Sequence, residues 1–233
     1  MSAIVRERPI LFSGPMVRRL ERLGYVVEWR ILNAADFGDA TTRQRFFLLG
    51  RKDGEPIAWP TASHAKQPWG DVKRWRAARE IIDWSLKGRS IFGRKKSLSP
   101  KTLARIYAGA KKFKWPEPFL VILRQHMDGQ SVDAPVPTLC AGGTHVGLAQ
   151  PVERAPRQGS LFGLYAAAPP AYDILFRMLD PRELARAHSF DDDETTYEFV
   201  GNKTEITRQI GGSVPVRTAC ALVGSIFGGA PCA

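Results

Sequence analysis

The sequence predicts an α/β protein in which a piece of an α/β sheet is interrupted by an irregular mixed region. A short amphipathic helix at 14–24 precedes two strand-like segments, and two further helices begin at Pro181 and Pro215. Between Arg51 and about Pro170, proline, glycine and tryptophan are scattered among short apolar runs. The 233 residues suffice for one ordinary domain, or for a fragment of a larger domain with a small second one attached.

The N-terminal elements follow from apolar periodicity. In 14–24, Met16 or Val17 shares one helical face with Leu20 and Leu23, the arginines face away and Gly24 supplies a C-terminal stop. The β-branched and aromatic residues of 25–32 predict a strand, and 45–50 predict a second one.

Capping chemistry locates the remaining helices. Ser99 followed by Pro100 predicts a helix from about 99 to 112, and Asp180 followed by Pro181 predicts another. Residues 215–227 form a mostly apolar helix. Two strands and about three helices cannot enclose a doubly wound sheet, and the glycine-rich turn expected after its first strand is missing. Either the fold differs, or a partner supplies the rest.

The composition of the chain indicates where in the cell the protein is located. Hydrophobic residues make up 44% and charged residues 24% of the chain, and no window approaches the roughly 18 apolar residues of a membrane span. The N-terminus lacks the apolar core of a secretory signal. The three cysteines are widely spaced and fit neither a disulfide framework nor a C-x-x-C metal site. We therefore expect a cytoplasmic protein with no membrane segment and no metal.

The net charge of +11 is uneven along the chain. Residues 1–120 contain 25 lysines and arginines against 11 acidic residues, whereas 121–233 contain 9 against 12. Between Asp83 and Glu117 there are ten basic residues and no acidic one. A solvated surface and a nucleic-acid-binding surface are both compatible with such a run, so motifs must decide.

Residues 33–50 carry the first such motif. Asn33–Gly38, followed by 41–50 (TTRQRFFLLG), closely resembles the eighth motif of cytosine-5 DNA methyltransferases. Alternate side chains of an extended segment face the same side, so Arg43 and Arg45 can both reach one anionic site. The resemblance implies that Arg45 hydrogen-bonds the flipped cytosine and its acidic partner, and that Arg43 supports the geometry or the phosphates.

Two further segments resemble later motifs of that family. Residues 181–190 (PRELARAHSF) are similar to the ninth motif, which implies scaffold roles for Arg182, Glu183 and Arg186 and a structural role for His188. Residues 208–216 (RQIGGSVPV) are similar to the tenth motif. There the resemblance implies that Gly212, Ser213 and Val214 line a pocket for S-adenosylmethionine, at a helix entry where backbone N–H groups approach a ligand.

The segment 135–145 resembles the Thr-Leu element of the family's target recognition domain. This implies DNA contacts at Thr138 and Thr144, with close backbone approach at Gly142 and Gly143. Cys140 follows Leu139 in that element and is a poor candidate for a nucleophile. The basic side chains expected to contact DNA are Arg94, Lys95, Lys96, Lys101 and Arg105.

The resemblance implies the C-terminal piece of a Rossmann-like S-adenosylmethionine-dependent methyltransferase domain with an inserted mixed α/β target recognition domain. Its parts are 1–52 and 179–233 in the catalytic domain and 53–178 in the recognition domain. The family's chemistry needs a Pro-Cys thiolate that adds to C6 of cytosine, a Glu-Asn-Val glutamate and a glycine-rich cofactor loop. None lies before Asn33, and Pro231-Cys232 has only one residue after it.

Two functions stay open. The first is a component of a DNA cytosine-5 methyltransferase that reads double-stranded DNA, shares the S-adenosylmethionine site and is active only with a complementary N-terminal subunit. The second is a non-catalytic, sequence-specific DNA-binding module derived from such an enzyme.

Overall fold

A computed structural model describes residues 10–114, 116–124, 127, 129–143, 145–153, 172–191 and 197–228. Its helices are α1 (Ile10–Arg22), α2 (Ala78–Ile81), α3 (Pro100–Lys112), α4 (Pro181–Ala187), α5 (Lys203–Gly212) and α6 (Val216–Phe227), with a 3-10 helix at Ala34–Phe37. Its strands are β1 (Val26–Asn33), β2 (Thr41–Thr42), β3 (Gln44–Arg51), β4 (His64–Ala65), β5 (Lys73–Arg74), β6 (Arg89–Ser90), β7 (Phe119–Ile122), β8 (Gln130–Ser131), β9 (Val136–Pro137), β10 (Val146–Glu153) and β11 (Tyr172–Met178).

The two predicted N-terminal strands are confirmed as an antiparallel pair. Strand β1 pairs with β3 from Val26 opposite Arg51 to Asn33 opposite Gln44. Directly opposed residues lie on the same face of the sheet, so one face is largely apolar, and its Trp29 and Phe46 rings lie 5.6 Å apart. Among the described residues this sheet has only two strands.

A five-stranded antiparallel sheet organises the middle of the chain, where the sequence predicted only short irregular runs. Its strand order is β6-β11-β10-β7-β8. All four residues of β7 are buried, so the strand shows none of the alternation that marks a half-exposed strand. The confirmed helix α3, capped by the Ser99 hydroxyl, packs against β7.

Two short parallel pairs lie outside these sheets, and one of them connects segments that are distant in the sequence. Strand β2 pairs with β9, with Thr41 opposite Val136 and Thr42 opposite Pro137. Strand β4 pairs with β5. The first pair joins the segment that follows the 3-10 helix to the start of the predicted recognition element, 135–145.

Helix α1 differs from its prediction in extent and in burial. It begins at Ile10, contains Pro15 and ends at Arg22, with Gly24 at φ +86° beyond it. Leu23, predicted to lie on the apolar face, is outside the helix and 56% exposed, and Met16 is 51% exposed. Met16 in the helix and Leu23 just beyond it thus both expose apolar side chains to solvent.

The C-terminal helices include one that the sequence did not predict. Helix α4 is capped by Asp180 as expected, and α6 begins after Pro215. The unpredicted helix is α5, which starts with a reciprocal cap between Asn202 and Glu205. Its last residues are Gly211 and Gly212, so these glycines end one helix and the turn Ser213–Pro215 leads into the next.

One apolar stretch, Lys203–Phe227, has the length and composition of a membrane span, with a mean hydropathy of 1.4 and 28% of its most apolar window buried. The turn at Ser213–Pro215 divides it into α5 and α6. Since α5 packs on α4 and α6 packs on the 3-10 helix, these are helices of a folded domain.

The larger hydrophobic core cluster crosses the predicted domain limits. It contains Ala40, Ile122 and Ile210, one from each of the ranges 1–52, 53–178 and 179–233. A second cluster, which includes Ile106, Phe119 and Phe176, lies between α3 and the five-stranded sheet. The segments thus share one interior, and the limits at 52 and 178 stay predictions.

Candidate functional site

The turn Asn33–Gly38 is fixed by its own polar groups. The Asn33 side chain accepts a hydrogen bond from the Ala35 amide, and the Asp36 carboxylate accepts one from the Trp75 indole at 2.9 Å. Gly38 has φ +90°, and a Cβ there would lie 2.7 Å from Cε1 of His64. Only glycine fits this position. The rigid turn sets where β2 and β3 begin.

Arg43, between β2 and β3, is a buried cation whose guanidinium contacts backbone carbonyls. Nη1 donates to the Leu139 carbonyl and Nη2 to the Gly211 carbonyl, both at 2.7 Å. The residue is 2% exposed. Burial, followed by repulsion from Arg45, lowers its pKa to about 10, so it is still protonated at neutral pH.

Arg45 differs from Arg43 in its surroundings, although both were predicted to reach one anionic site. Its side chain is half-buried on β3, opposite Leu32. Nη1 donates to the Gln44 carbonyl at 2.8 Å. Among the described residues its guanidinium has no other hydrogen-bond acceptor, so it retains donors for a ligand.

Thr138 lies against the same junction. Its hydroxyl donates to the Thr42 carbonyl at 3.2 Å, and its own carbonyl accepts a hydrogen bond from Nη2 of Arg124. The side chain is half-buried. Beyond it, Gly142 has open space around its Cα, and Gly143 has φ +133°, which favours glycine. Thr144, a predicted DNA contact, lies outside the described residues.

Two residues predicted to line the cofactor pocket are exposed at the end of α5 and in the turn that follows it. A Cβ at Gly212 would meet nothing within 4 Å, and Val214 is exposed. The Ser213 hydroxyl donates to the Ile210 carbonyl at 2.7 Å and lies 3.2 Å from Nδ1 of His188. Since Ser213 uses its proton on Ile210, His188 is the donor in the second bond.

His188 has the structural role that was expected of it. It is fully buried, and burial lowers its pKa to about 3, so its imidazole is neutral at neutral pH. Its backbone carbonyl also accepts from the Val216 amide at 3.0 Å. His188 therefore stabilises the start of α6 through this hydrogen bond.

Asp39 was not singled out in the sequence, yet it joins the turn at 33–38 to α6. Its Oδ2 accepts hydrogen bonds from the amide and the hydroxyl of Thr218 at 3.0 and 2.7 Å, in the first turn of α6. Burial raises its pKa to about 6, although these bonds act in the opposite direction. Its partner is 179 residues away, so no local pattern could reveal it.

Glu183 is the centre of the ninth-motif scaffold. Its carboxylate accepts two hydrogen bonds from Arg177 at 2.7 Å, and others from the amides of Asp83 and Asp180. It thus joins α4 to β11 and to the segment after α2. By contrast, Arg182 is exposed, and Arg186 forms an ion pair with Asp191 at 3.4 Å.

The predicted DNA-binding side chains fall into two groups. Arg94 donates to the carbonyls of Ser90, Arg89 and Phe176, and Arg105 donates to the Arg124 carbonyl, so both are held within the fold. Lys95, Lys96 and Lys101 are exposed. The loop 89–96 also borders an open cavity of about 670 Å³. We call Lys95, Lys96 and Lys101 the lysine patch.

Two other predictions concern the cysteines and metal binding. Pro231-Cys232 lies outside the described residues, whereas Cys140 is exposed and has a free thiol. Within the described ranges, no group of three His, Cys, Asp or Glu side chains could hold a metal ion.

Comparison with solved structures identifies the class of fold. The crystal structure of the S. pombe Dnmt2 methyltransferase superposes with a TM-score of 0.51 at 16% identity, and the match covers 92% of this chain and 59% of that one. The protein thus shares a mixed α/β fold with that methyltransferase.

The sequence comparison gives the family. The sequence model of the C-5 cytosine-specific DNA methylases matches residues 14–228, and the chain belongs to this family. Type II methyltransferase M.SacI of Streptomyces achromogenes is 25% identical over 241 aligned positions, which cover 91% of this chain and 54% of that protein. M.XorII of Xanthomonas oryzae pv. oryzae is 26% identical over 252 positions, covering 93% and 54%. The chain spans about half the length of these two relatives.

Proposed function

We propose that this chain is the C-terminal portion of a DNA cytosine-5 methyltransferase. It supplies DNA recognition together with part of the target-base and cofactor pocket. Methyl transfer to C5 of a flipped cytosine in double-stranded DNA then requires a complementary N-terminal portion that carries the Pro-Cys nucleophile, the Glu-Asn-Val glutamate and the glycine-rich loop. The assembly would act in the cytoplasm.

The observation that carries this proposal is the junction at Arg43. There the β2–β3 segment, the residues 138–141 and the last turn of α5 meet, although they are separated by up to 168 residues in the sequence. These are the segments to which target-base, DNA and cofactor contacts were assigned. Arg45, which retains unused hydrogen-bond donors, lies two residues from Arg43.

A second observation supports the need for a complementary portion. The β1–β3 pair leaves Val26, Ile31 and Phe46 exposed, and α6 leaves Val223 and Phe227 exposed. Ile31 and Phe46 are directly opposed across the two strands, and adjoining exposed apolar side chains of this kind are typical of a protein interface. The relatives contain about as much sequence again as this chain matches, which is enough to cover that surface.

The cofactor assignment fits the α5–α6 turn in part. S-adenosylmethionine would supply the methyl group. Gly212 has open space beside it and Val214 is exposed, so both are accessible to a ligand. The Ser213 hydroxyl is already used on Ile210 and His188, so we expect Ser213 to contribute through its backbone.

Reconstitution tests the proposal. The chain is mixed with the N-terminal portion of a related methyltransferase, double-stranded DNA carrying varied cytosine contexts and methyl-labelled S-adenosylmethionine. Label recovered as 5-methylcytosine after digestion of the DNA is expected only when both proteins are present. No label with any matched N-terminal portion, although the two proteins associate, would contradict the proposal.

Arg45→Ala is the matched variant for this assay. Because the proposed contact forms with the flipped base, the variant should lower kcat by about 100-fold and change the affinity for DNA less than about threefold. Equal losses in kcat and in DNA affinity would indicate a phosphate contact instead.

The non-catalytic alternative is favoured by the lysine patch alone. It predicts that the isolated chain binds DNA as a folded monomer with strongly salt-dependent affinity. It also predicts that the N-terminal portion adds neither methylation nor affinity, so the same reconstitution distinguishes the two functions.

A further inference from the structure

Arg43 holds together segments that the chain otherwise separates widely. The Leu139 carbonyl is 96 residues away in sequence and the Gly211 carbonyl is 168 residues away, yet both accept hydrogen bonds from one guanidinium. Burying a cation is unfavourable unless its donors are satisfied. Two terminal nitrogens directed at two backbone carbonyls meet part of that requirement and fix the distance between the carbonyls.

The backbone around Arg43 is packed so closely that small shifts are resisted. A Cβ on Gly211 would lie 2.6 Å from the Cys140 carbonyl carbon and 2.6 Å from the Ala141 nitrogen. On the opposite side, β9 pairs with β2, and the Thr138 hydroxyl donates to the Thr42 carbonyl. Residues 138–141 are therefore held between β2 and the last turn of α5.

We infer that Arg43 is a positioning residue that sets residues 138–141 of the recognition element against the last turn of α5, which leads into the α5–α6 turn. It acts through these carbonyls without touching DNA or the target cytosine. This assignment separates its role from that of Arg45, which keeps free donors. It rests on the proposed function only in naming the segment as DNA-contacting and the turn as cofactor-contacting.

Amide hydrogen exchange on the chain alone tests the clamp without any need for activity. Arg43→Lys keeps the charge, but a single ammonium cannot reproduce the planar fork that reaches both carbonyls. Amides of 139–142 and of 211–213 should then exchange about tenfold faster, while β7 and β10 keep their protection. Unchanged exchange in either segment, or equal acceleration throughout the protein, would overturn the inference.

Gly211→Ala provides a second variant in case Arg43→Lys does not fold. Its added methyl group pushes the same two segments apart from the α5 side, while Arg43 itself is retained. The same paired acceleration at 139–142 and 211–213 is expected. Acceleration confined to the α5 end would count against a shared junction.

Kinetics of the reconstituted enzyme separate positioning from direct contact. Arg43→Lys should raise KM for DNA by about tenfold and leave kcat within about twofold, the reverse of Arg45→Ala. A fall in kcat at unchanged KM would show that Arg43 acts on the reacting base, and would overturn the inference. If no pair methylates DNA, the proposed function fails, while the exchange result still decides whether Arg43 is a clamp.

Discussion

Glu183 shows how one buried carboxylate can join three parts of the chain. Its side chain is 1% exposed and that of Arg177 is 13% exposed, and the pair is bidentate. Glu183→Gln would leave the Arg177 cation buried without its counterion. We expect the free energy of unfolding to fall by about 3–5 kcal/mol in urea titrations.

The neighbouring Arg182→Ala serves as the control for Glu183→Gln. Arg182 is exposed, so its removal should change the free energy of unfolding by less than about 0.5 kcal/mol. Similar losses in both variants would show that the carboxylate does not organise this region.

Asp39 should give the protein a stability that depends on pH in an unusual direction. Its pKa is about 6 in the folded protein, against an ordinary value of 3.8, so between these two values the folded state binds more protons than the unfolded state. The contribution of Asp39 to stability is therefore present below about pH 4 and is lost as pH rises through 6.

Asp39→Asn removes this titration. Relative to the variant, the unsubstituted protein should lose up to about 3 kcal/mol of unfolding free energy between pH 4 and 7, as measured by denaturant titration at each pH. A constant difference between the two proteins over that range would contradict the role assigned to burial of Asp39.

At the scale of elements, α3 and β7 approach so closely that only glycine fits between them. A Cβ on Gly109 would lie 2.2 Å from Cε2 of Phe119, which is fully buried. Gly109→Ala should therefore lower the free energy of unfolding by about 1–3 kcal/mol, although alanine favours helix by about 1 kcal/mol. Thermal unfolding followed by circular dichroism would measure the change.

Gly212→Ala is the matched control, because a Cβ there meets nothing within 4 Å. Its unfolding free energy should stay the same or rise by up to about 1 kcal/mol. A loss as large as that of Gly109→Ala would mean that backbone conformation, and not the contact with Phe119, requires glycine.

Elements with local signals were the ones that the sequence predicted. The N-caps at Ser99 and Asp180 predicted α3 and α4, and runs of apolar, β-branched residues predicted β1 and β3. Strand β7 is buried on both faces and has four residues, too few to separate it from a buried loop. The sequence does not reveal helix α5, because its glycine-rich end is typical of a turn. The partners of Arg43 and Asp39 lie 96 to 179 residues away, where no local pattern reaches.

At the scale of the whole molecule, the excess positive charge is concentrated where DNA contacts were predicted. The basic residues that carry it are not equivalent. Arg94 and Arg105 have donors engaged with carbonyls of the fold, whereas the lysine patch extends into solvent. Charge that is exposed and unpaired releases counterions when it meets phosphate, and charge held in the fold contributes less. Net charge alone therefore overstates the number of phosphate contacts.

Salt dependence of DNA binding distinguishes these two groups. Lys95→Ala and Lys96→Ala should each reduce the slope of log K against log salt by about 1, because each removes one phosphate contact. Arg94→Ala should instead lower the melting temperature, since three carbonyls lose their donor. Lys203, which pairs with Asp180 at 2.9 Å, provides the control, and Lys203→Ala should leave the slope unchanged. Equal slope changes for Lys203→Ala and Lys95→Ala would mean that DNA senses only the overall charge, and that the lysine patch is not its binding surface.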